Sequence, residues 1–319
     1  VAGHTRAVET TMKLAVGAQA LSRTIIGDGA TDSLARFARK LSGGRVPRVS
    51  RALQPGPGTP KPIAAPDLRN SPATSIPVST ATMPDNRVVY FPSCATRMFG
   101  APTRENGLLP TPAATVELLR RAGYDPVIPE SLDGACCGQP FLSKGFPEES
   151  ARVGDALNHK LSAASDHGTC PVVTDASTCA KHLREHPGDA AVLDSAEFLL
   201  AEVLPRLTIT NKVPVLAVHH NCSAQRLKEQ AAINTLAAAM AEKVIVLQSF
   251  SCCGYAGDKG LFVPELNEWA TRFAKGEVPA DCGIGISTVS TCASGLTDRI
   301  GIPFVSIASL LESVSQPKS

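Results

Sequence analysis

The sequence predicts an α/β protein made of two pseudo-symmetric cysteine-rich domains of parallel βα units, preceded by a helical hairpin and a proline-rich linker. Three observations predict it. From Asn86 onward, strand-like apolar runs alternate with helical stretches, the pattern of a parallel sheet with helical crossovers. The cysteine order of one half recurs in the other: Cys94, Cys136-Cys137 and Cys179, then Cys222, Cys252-Cys253 and Cys292. Upstream, nine prolines crowd into Val46–Pro84, behind a stretch whose apolar residues recur at helical intervals.

Each element can be justified in turn. Val8, Met12, Ala15, Val16 and the Ala18–Leu21 stretch put a helical period on Thr5–Lys40. The break "GDGATD" at Gly27–Asp32 offers Thr31 or Asp32 as an N-cap for a second helix ending at Gly43-Gly44. Arg36, Arg39 and Lys40 then lie near its C-terminus, where the dipole favours cations. Residues 1–45 are expected to form a solvated hairpin, and residues 46–85 an extended linker or wrapping segment. The chain opens at Val1 without Met, inside helical sequence, which suggests a fragment or an atypical start.

The first domain, 86–210, reads as a strand at Arg87–Cys94, a helix at Pro112–Ala122 closed by Gly123, and the short strand "YDPVIPE". The helix "ARVGDALNHKLSAA", the strand and turn "CPVVTDASTC" and a helix at Ala190–Leu204 follow. The second domain, 211–319, repeats this order with "VPVLAVHHNC", "TLAAAMAEK", "VIVLQSFSCCG", "PELNEWATRFAKG" and "GIGISTVSTC". "DASTC" ending at Cys179 echoes "TVSTC" ending at Cys292. Every repeated cysteine thus falls at a strand end, where open α/β sheets place their ligand sites.

Composition narrows the function. At 319 residues with 43% apolar content, the chain can bury a sizeable core. A net charge of +2 gives no reason to expect a nucleic-acid partner. The apolar runs are too short for a transmembrane segment, and no basic n-region with an apolar h-region opens the chain. A cytoplasmic location is therefore expected, with peripheral attachment at the inner membrane face as a variant. In that compartment thiols stay reduced, so clustered cysteines point to metal or redox chemistry.

No Cys-x-x-Cys knuckle is present, and 41 residues separate Cys94 from Cys136 and Cys137 from Cys179. Neighbouring side chains on an extended chain point to opposite faces, so each vicinal pair needs a sharp turn to present both sulfurs to one centre. Gly138 and Gly254 supply the freedom for it. Four thiolates per half match the Cys₄ requirement of an iron–sulfur cluster better than one zinc ion. Helix starts after the cysteines would aim backbone N–H groups at the centre. Lys144 and Lys259 could offset charge, although either alone reads as an ordinary solvated lysine. Cys170 and Cys282, entering strands from the far edge, read as structural, and the His219-His220 pair as a polar turn.

The stretches "VVYFPSCATRMFG", "CCGYAGDKGLFVPEL" and "STVSTCASGLTDRIGIPFVSIASLLE" resemble the CCG cysteine-rich domain family over Arg87–Glu312. That family includes the cysteine-rich component of heterodisulfide reductase, glycolate oxidase iron–sulfur subunits and lactate-utilisation proteins. The similarity extends to the C-terminal part of bacterial FAD-linked iron–sulfur D-lactate dehydrogenases of the cytochrome type. It implies a four-iron–four-sulfur cluster on Cys94, Cys136, Cys137, Cys179, Cys222, Cys252, Cys253 and Cys292, in one half or both. It also implies FAD on an upstream domain or partner, and electron delivery to quinone or cytochrome. The chain itself would be the electron-transfer part of an oxidoreductase and not catalytic alone. Where disulfide-reducing relatives end each half in Cys-x-x-Cys, this chain has His182 in "CAKH" and Gly295 in "CASG". A simple electron relay is therefore expected. A thiol–disulfide reductase of the heterodisulfide-reductase kind and a zinc-stabilised docking scaffold are the rivals.

Overall fold

The computed structural model describes residues 5–47, 50, 52–64, 86–101, 103 and 106–318. In chain order the strands are β1 (Gln54–Pro55), β2 (Arg87–Phe91), β3 (Phe99–Gly100), β4 (Asp125–Val127), β5 (Val172–Thr174) and β6 (Val192–Asp194). They continue with β7 (Leu207–Ile209), β8 (Val213–His219), β9 (Ala241–Val246), β10 (Ile284–Ser287), β11 (Phe304–Val305) and β12 (Ser315–Pro317). Two four-stranded sheets result, ordered β4-β2-β5-β6 and β11-β10-β8-β9, and every pairing within them is parallel. The predicted α/β class with two related units is the observed one.

The central strands show why these runs become sheet. Val88, Val89, Tyr90 and Phe91 on β2 are all fully buried, as a strand covered by helices on both faces requires. Val89 stands opposite Val127 on β4 and Val172 on β5. In the second sheet Leu216 stands opposite Ile284 on β10 and Val244 on β9. The topologies correspond strand for strand, β2, β4, β5 and β6 matching β8, β9, β10 and β11. In each sheet the order reverses direction beside the first strand, between β2 and β5 and between β8 and β10. Such a switch point opens a crevice at the carboxyl ends of the strands.

One apolar cluster spans both units, joining Leu118, Leu119 and Val203 to Leu236, Ile286 and Leu311, and a second joins Val16 of the arm, Leu53 and Phe99 to Val215 and Phe304 of the second sheet. The Thr111–Arg121 helix packs on the Ile307–Ser313 helix. Arg121 ties that contact by donating to the carbonyls of Glu312 and Ser315 at 2.8 and 2.7 Å. The two short antiparallel pairs, β1 with β3 and β7 with β12, lie outside the main sheets.

Several local expectations need correction. The second arm helix begins at Asp28, capped by Gly27 and not by Thr31 or Asp32. Gly27 turns the chain at φ 80, while Thr31 donates back to the Gly27 carbonyl and Asp32 pairs with Arg23. The arm is the expected helical hairpin and is exposed over most of its surface, but Glu9 and Val16 of the Thr5–Ile26 helix are buried against the body. The proline-rich segment does wrap where it is described: β1 pairs with β3, and Ile63 bridges Ile128. Its residues 48, 49, 51 and 65–85 lie outside the described residues. The helix expected at Ala190–Leu204 is preceded by the strand β6 and starts only at Ser195. The "PELNEWATRFAKG" helix splits into Pro264–Ala270 and Ala274–Glu277. Among the described residues no helix is long and apolar enough to cross a membrane.

The two units also share a buried carboxyl contact. Asp194, at the end of β6, is fully buried, and Glu229, before the Gln230–Met240 helix, is 5% exposed. Arg184 approaches Glu229 at 3.9 Å. Burial raises Asp194 to about 6. Burial and the Asp194 carboxyl beside it raise Glu229 to about 8. Both folded values lie above the ordinary 3.8 and 4.5. The folded chain therefore holds protons that the unfolded chain has released, and the contact loses stability as pH rises through this window. Urea midpoints should fall between pH 5 and pH 8, and Glu229→Gln should flatten that slope.

Candidate metal centre

The first sulfur site is assembled from three segments at the carboxyl edge of the first sheet. Cys94 is the first residue of the Cys94–Met98 helix, whose N-cap Ser93 accepts from Thr96 N–H at 3.1 Å. Asp175, just beyond β5, holds this turn by accepting from Ser93 N–H at 2.9 Å and from Tyr90 O–H at 2.7 Å. Cys94 Sγ lies 4.0 Å from Cys136 Sγ. Cys137 touches both Cys136 and Cys179, so the four thiols form one connected group. Cys179 sits in the first turn of the Ser177–Glu185 helix.

The turn at the vicinal pair is made by Gly138, at φ 102, whose N–H donates to Cys136 Sγ at 3.5 Å. A Cβ there would stand 2.5 Å from the Ser150 carbonyl oxygen, so the position admits glycine alone without rearrangement.

The second site repeats the plan. Cys222 opens the Cys222–Leu227 helix, capped by Asn221, which accepts from Ser223 and Ala224 N–H at 2.9 and 3.0 Å. Cys252 contacts Cys222 and accepts from Gly254 N–H at 3.4 Å. Cys253 Sγ lies 3.0 Å from Cys292 Sγ, in the first turn of the Ser290–Ile300 helix. Gly254, at φ 72, approaches the Leu266 carbonyl so closely that a Cβ would overlap it. Cys94, Cys179, Cys222 and Cys292 thus sit in the first turns of the helices that follow the strands.

The sites differ in depth. Cys136, Cys137 and Cys179 are buried, whereas Cys222 and Cys252 are exposed. Contact with Cys136, aided by burial, pushes Cys94 well up. The Cys137 contact drives Cys136 up to about 12. In the second site the Cys222 contact, supported by the Gly254 N–H, lowers Cys252 to about 6. Four adjacent thiols resist sharing several negative charges unless a cation compensates them.

That donor set fits an iron–sulfur cluster: thiols only, four per half, with backbone N–H groups directed at sulfur. Among the described residues no group of three or more His, Cys, Asp and Glu side chains is arranged to hold a metal ion on its own. Thiolates that bind separate irons of a cluster have no need to converge on one point.

Residues next to the two sites are bonded to one another. Ser177 donates to Thr288 at 2.7 Å, Thr178 meets Ser223 at 3.2 Å, and Asn221 donates to Thr288. Lys144, past the first vicinal pair, bonds Asp258, past the second, at 2.7 Å. Lys144 remains half exposed, as an ordinary solvated lysine does, while making this surface pair.

Cys170 and Cys282 stand apart from both groups. They donate to the carbonyls of Ser165 at 3.6 Å and Ile284 at 3.4 Å. His219 is not in a polar turn: it is buried at the end of β8, stacked on Phe250 at 5.2 Å. His182 stands where disulfide-reducing relatives have a cysteine. It is buried beside Gly138, with Nε2 3.4 Å from Ser150 Oγ. At the matching point of the second half, Gly295 leaves room for the Tyr255 ring, which a Cβ would meet at 2.5 Å. Bulk beside the vicinal pair is thus supplied by His182 in one half and Tyr255 in the other.

Sequence reasoning missed Asp175, Glu9 and Arg97. Arg97 is fully buried and ion-paired to Glu9 of the arm at 3.1 Å. A charged residue on the inward face of the first arm helix was the available signal.

Residues 88–184 match the family profile "CCG: Cysteine-rich domain". The chain is similar to lactate utilization protein A of Geobacillus sp. (strain WCH70), 29% identical over 45% of this chain and 65% of that one. It is similar to the protein of the same name from Exiguobacterium sp. (strain ATCC BAA-1283 / AT1b), at 24% over 48% of this chain and 68% of that one. The protein of that name from Shouchella clausii (strain KSM-K16) is 25% identical over 53% of this chain and 79% of that one. The chain therefore spans about two thirds of the length of the Geobacillus relative. Among solved structures, Picrophilus torridus aspartate racemase shares 11% identity over 73% of this chain and 96% of that one, at a TM-score of 0.31, too low to inform function.

The glycine turns yield a test. Gly138→Ala and Gly254→Ala combine left-handed strain with backbone overlap and should cost about 1–3 kcal/mol or more. Gly257→Ala has the same strain, at φ 73, but meets nothing within 4 Å. Chemical denaturation should rank it clearly milder than the other two.

Proposed function

We propose that each cysteine quartet holds an iron–sulfur cluster of the four-iron–four-sulfur type and that the chain relays electrons in the oxidation of D-lactate or a related D-2-hydroxy acid. The ligand sets are Cys94, Cys136, Cys137 and Cys179 within residues 86–210, and Cys222, Cys252, Cys253 and Cys292 within 211–319. The observation that carries the reading is the duplication itself: eight thiols, gathered four and four at equivalent edges of two matching sheets. Similarity to proteins named for lactate utilization supports the substrate class. When bound, a cluster supplies one-electron storage at low cost in rearrangement.

The chain's own contribution is placement. Gly138 and Gly254 fold the vicinal thiols inward, N-caps orient the helix-borne thiols, and the bonds around Thr288 keep the two sites in register. An FAD-bearing domain or separate chain would deliver electrons from the hydroxy acid, and a quinone or cytochrome would receive them.

One observation favours a second reading, thiol–disulfide exchange. Cys252 is exposed and its thiol is lowered to about 6, in contact with Cys222. Such a thiol is a competent nucleophile if the second site is free of metal.

Anaerobic purification with iron and sulfide analysis separates these readings. The relay predicts a brown protein with bound iron and sulfide, diminished in Cys137→Ser and in Cys253→Ser but not in Cys170→Ser or Cys282→Ser. It also predicts no D-lactate oxidation with an artificial dye by this chain alone. A colourless, iron-free protein that reduces a model disulfide through Cys252 would favour the exchange reading instead.

A further inference from the structure

Three residues after the leading cysteine of each half stands a side chain that donates hydrogen bonds: Arg97 after Cys94, and Gln225 after Cys222. Both reach the same feature of the backbone. Arg97 Nη2 donates to the carbonyl of Ala135, directly before Cys136-Cys137. Gln225 Nε2 donates to the carbonyl of Ser251, directly before Cys252-Cys253, at 3.2 Å. Each also grips a second carbonyl, Leu132 for Arg97 and His220 for Gln225. The helix that carries the first thiol is thereby tied to the approach of the vicinal pair, in both halves and by the same bond.

The two donors differ in charge and in what lies behind them. Gln225 is neutral. Arg97 is a fully buried cation, and its counter-ion comes from outside the sheet: Glu9, on the arm helix, lies 3.1 Å away and is 5% exposed. Glu9 in turn accepts from Gly134 N–H at 2.9 Å, two residues before Cys136, and from the partly exposed Lys13 of its own helix at 2.8 Å, a cation that both variants below retain. A buried guanidinium without this carboxylate would be an uncompensated charge.

We propose that Arg97 and Gln225 are matched positioning residues of the two sulfur sites, and that the arm, through Glu9, sets the net charge felt by the first site alone. This rests on the reading that each quartet holds an iron–sulfur cluster. Uptake of one electron makes a cluster one unit more negative, with no bond made or broken in the protein. A nearby cation favours that step and a nearby carboxylate opposes it. Arg97 lies on the Cys94 helix itself, and Glu9 reaches the site through the Arg97 guanidinium and the Gly134 N–H. Removing Glu9 therefore eases reduction of the first site, and removing the pair makes it harder. The matching donor of the second site, Gln225, is neutral.

The test is an EPR-monitored potentiometric titration of the full chain, purified anaerobically and reduced with dithionite. Glu9→Gln should raise the midpoint of one signal, the signal that Cys137→Ser abolishes, and leave the other in place. Glu9→Gln with Arg97→Gln should lower that same midpoint below wild type. Iron content should be retained, because glutamine at position 97 keeps a donor as Gln225 does. Gln225→Leu, which removes the donor, should reduce the iron-dependent signal that Cys253→Ser abolishes and spare the first. The inference is overturned if Glu9→Gln leaves both midpoints unmoved or shifts both alike, or if Gln225→Leu leaves the second signal at full intensity. A wild-type chain that binds no iron would refute the underlying reading instead, which is a distinct result.

Discussion

Everything at the sulfur sites depends on one constraint: two consecutive side chains of an extended chain point to opposite faces. Cys136-Cys137 and Cys252-Cys253 can serve a common centre only because the backbone turns left-handed immediately afterwards, at Gly138 and Gly254. Each turn is then locked by close packing, Gly138 on Ser150 and Gly254 on Leu266. The freed N–H groups point back at the first sulfur of each pair, at 3.5 and 3.4 Å. A turn that exists to gather thiols also supplies the hydrogen bonds that thiolates need.

The sheets provide the rest of the geometry. Parallel strands bring all their carboxyl ends to one edge, so residues far apart in sequence arrive together there. Helix N-termini follow, and four of the eight thiols sit in their first turns. Contacts through Ser177, Thr288 and Asn221 then set the two edges against each other. The pseudo-symmetry is nonetheless imperfect. Burial, the His182–Tyr255 exchange and the charge behind Arg97 all distinguish the first site from the second. Such differences around a cluster tune its potential.

How far this was legible in the sequence depended on the range of the interaction. The α/β class, the duplicated cysteine order and the glycines at the turns announce themselves through period, repetition and local conformational need. β6 was hidden because three residues ahead of a helix carry no period of their own. The docking of the arm was hidden because its contacts join distant residues, among them the buried pair of Glu9 with Arg97, 88 positions apart. Either residue alone reads as solvated. His182 and Tyr255 were obscure for the same reason: their roles are fixed by what packs beside Gly138 and Gly295 and not by their neighbours in sequence.

The central claim is that two metal-bearing sites stand at equivalent edges of two related sheets. Anomalous diffraction at the iron edge, from crystals of the full chain grown without oxygen, addresses it directly. The account predicts two compact iron peaks, one among Cys94, Cys136, Cys137 and Cys179 and one among Cys222, Cys252, Cys253 and Cys292. Absence of iron at both, with signal instead at the zinc edge or electron density for disulfides, would contradict it.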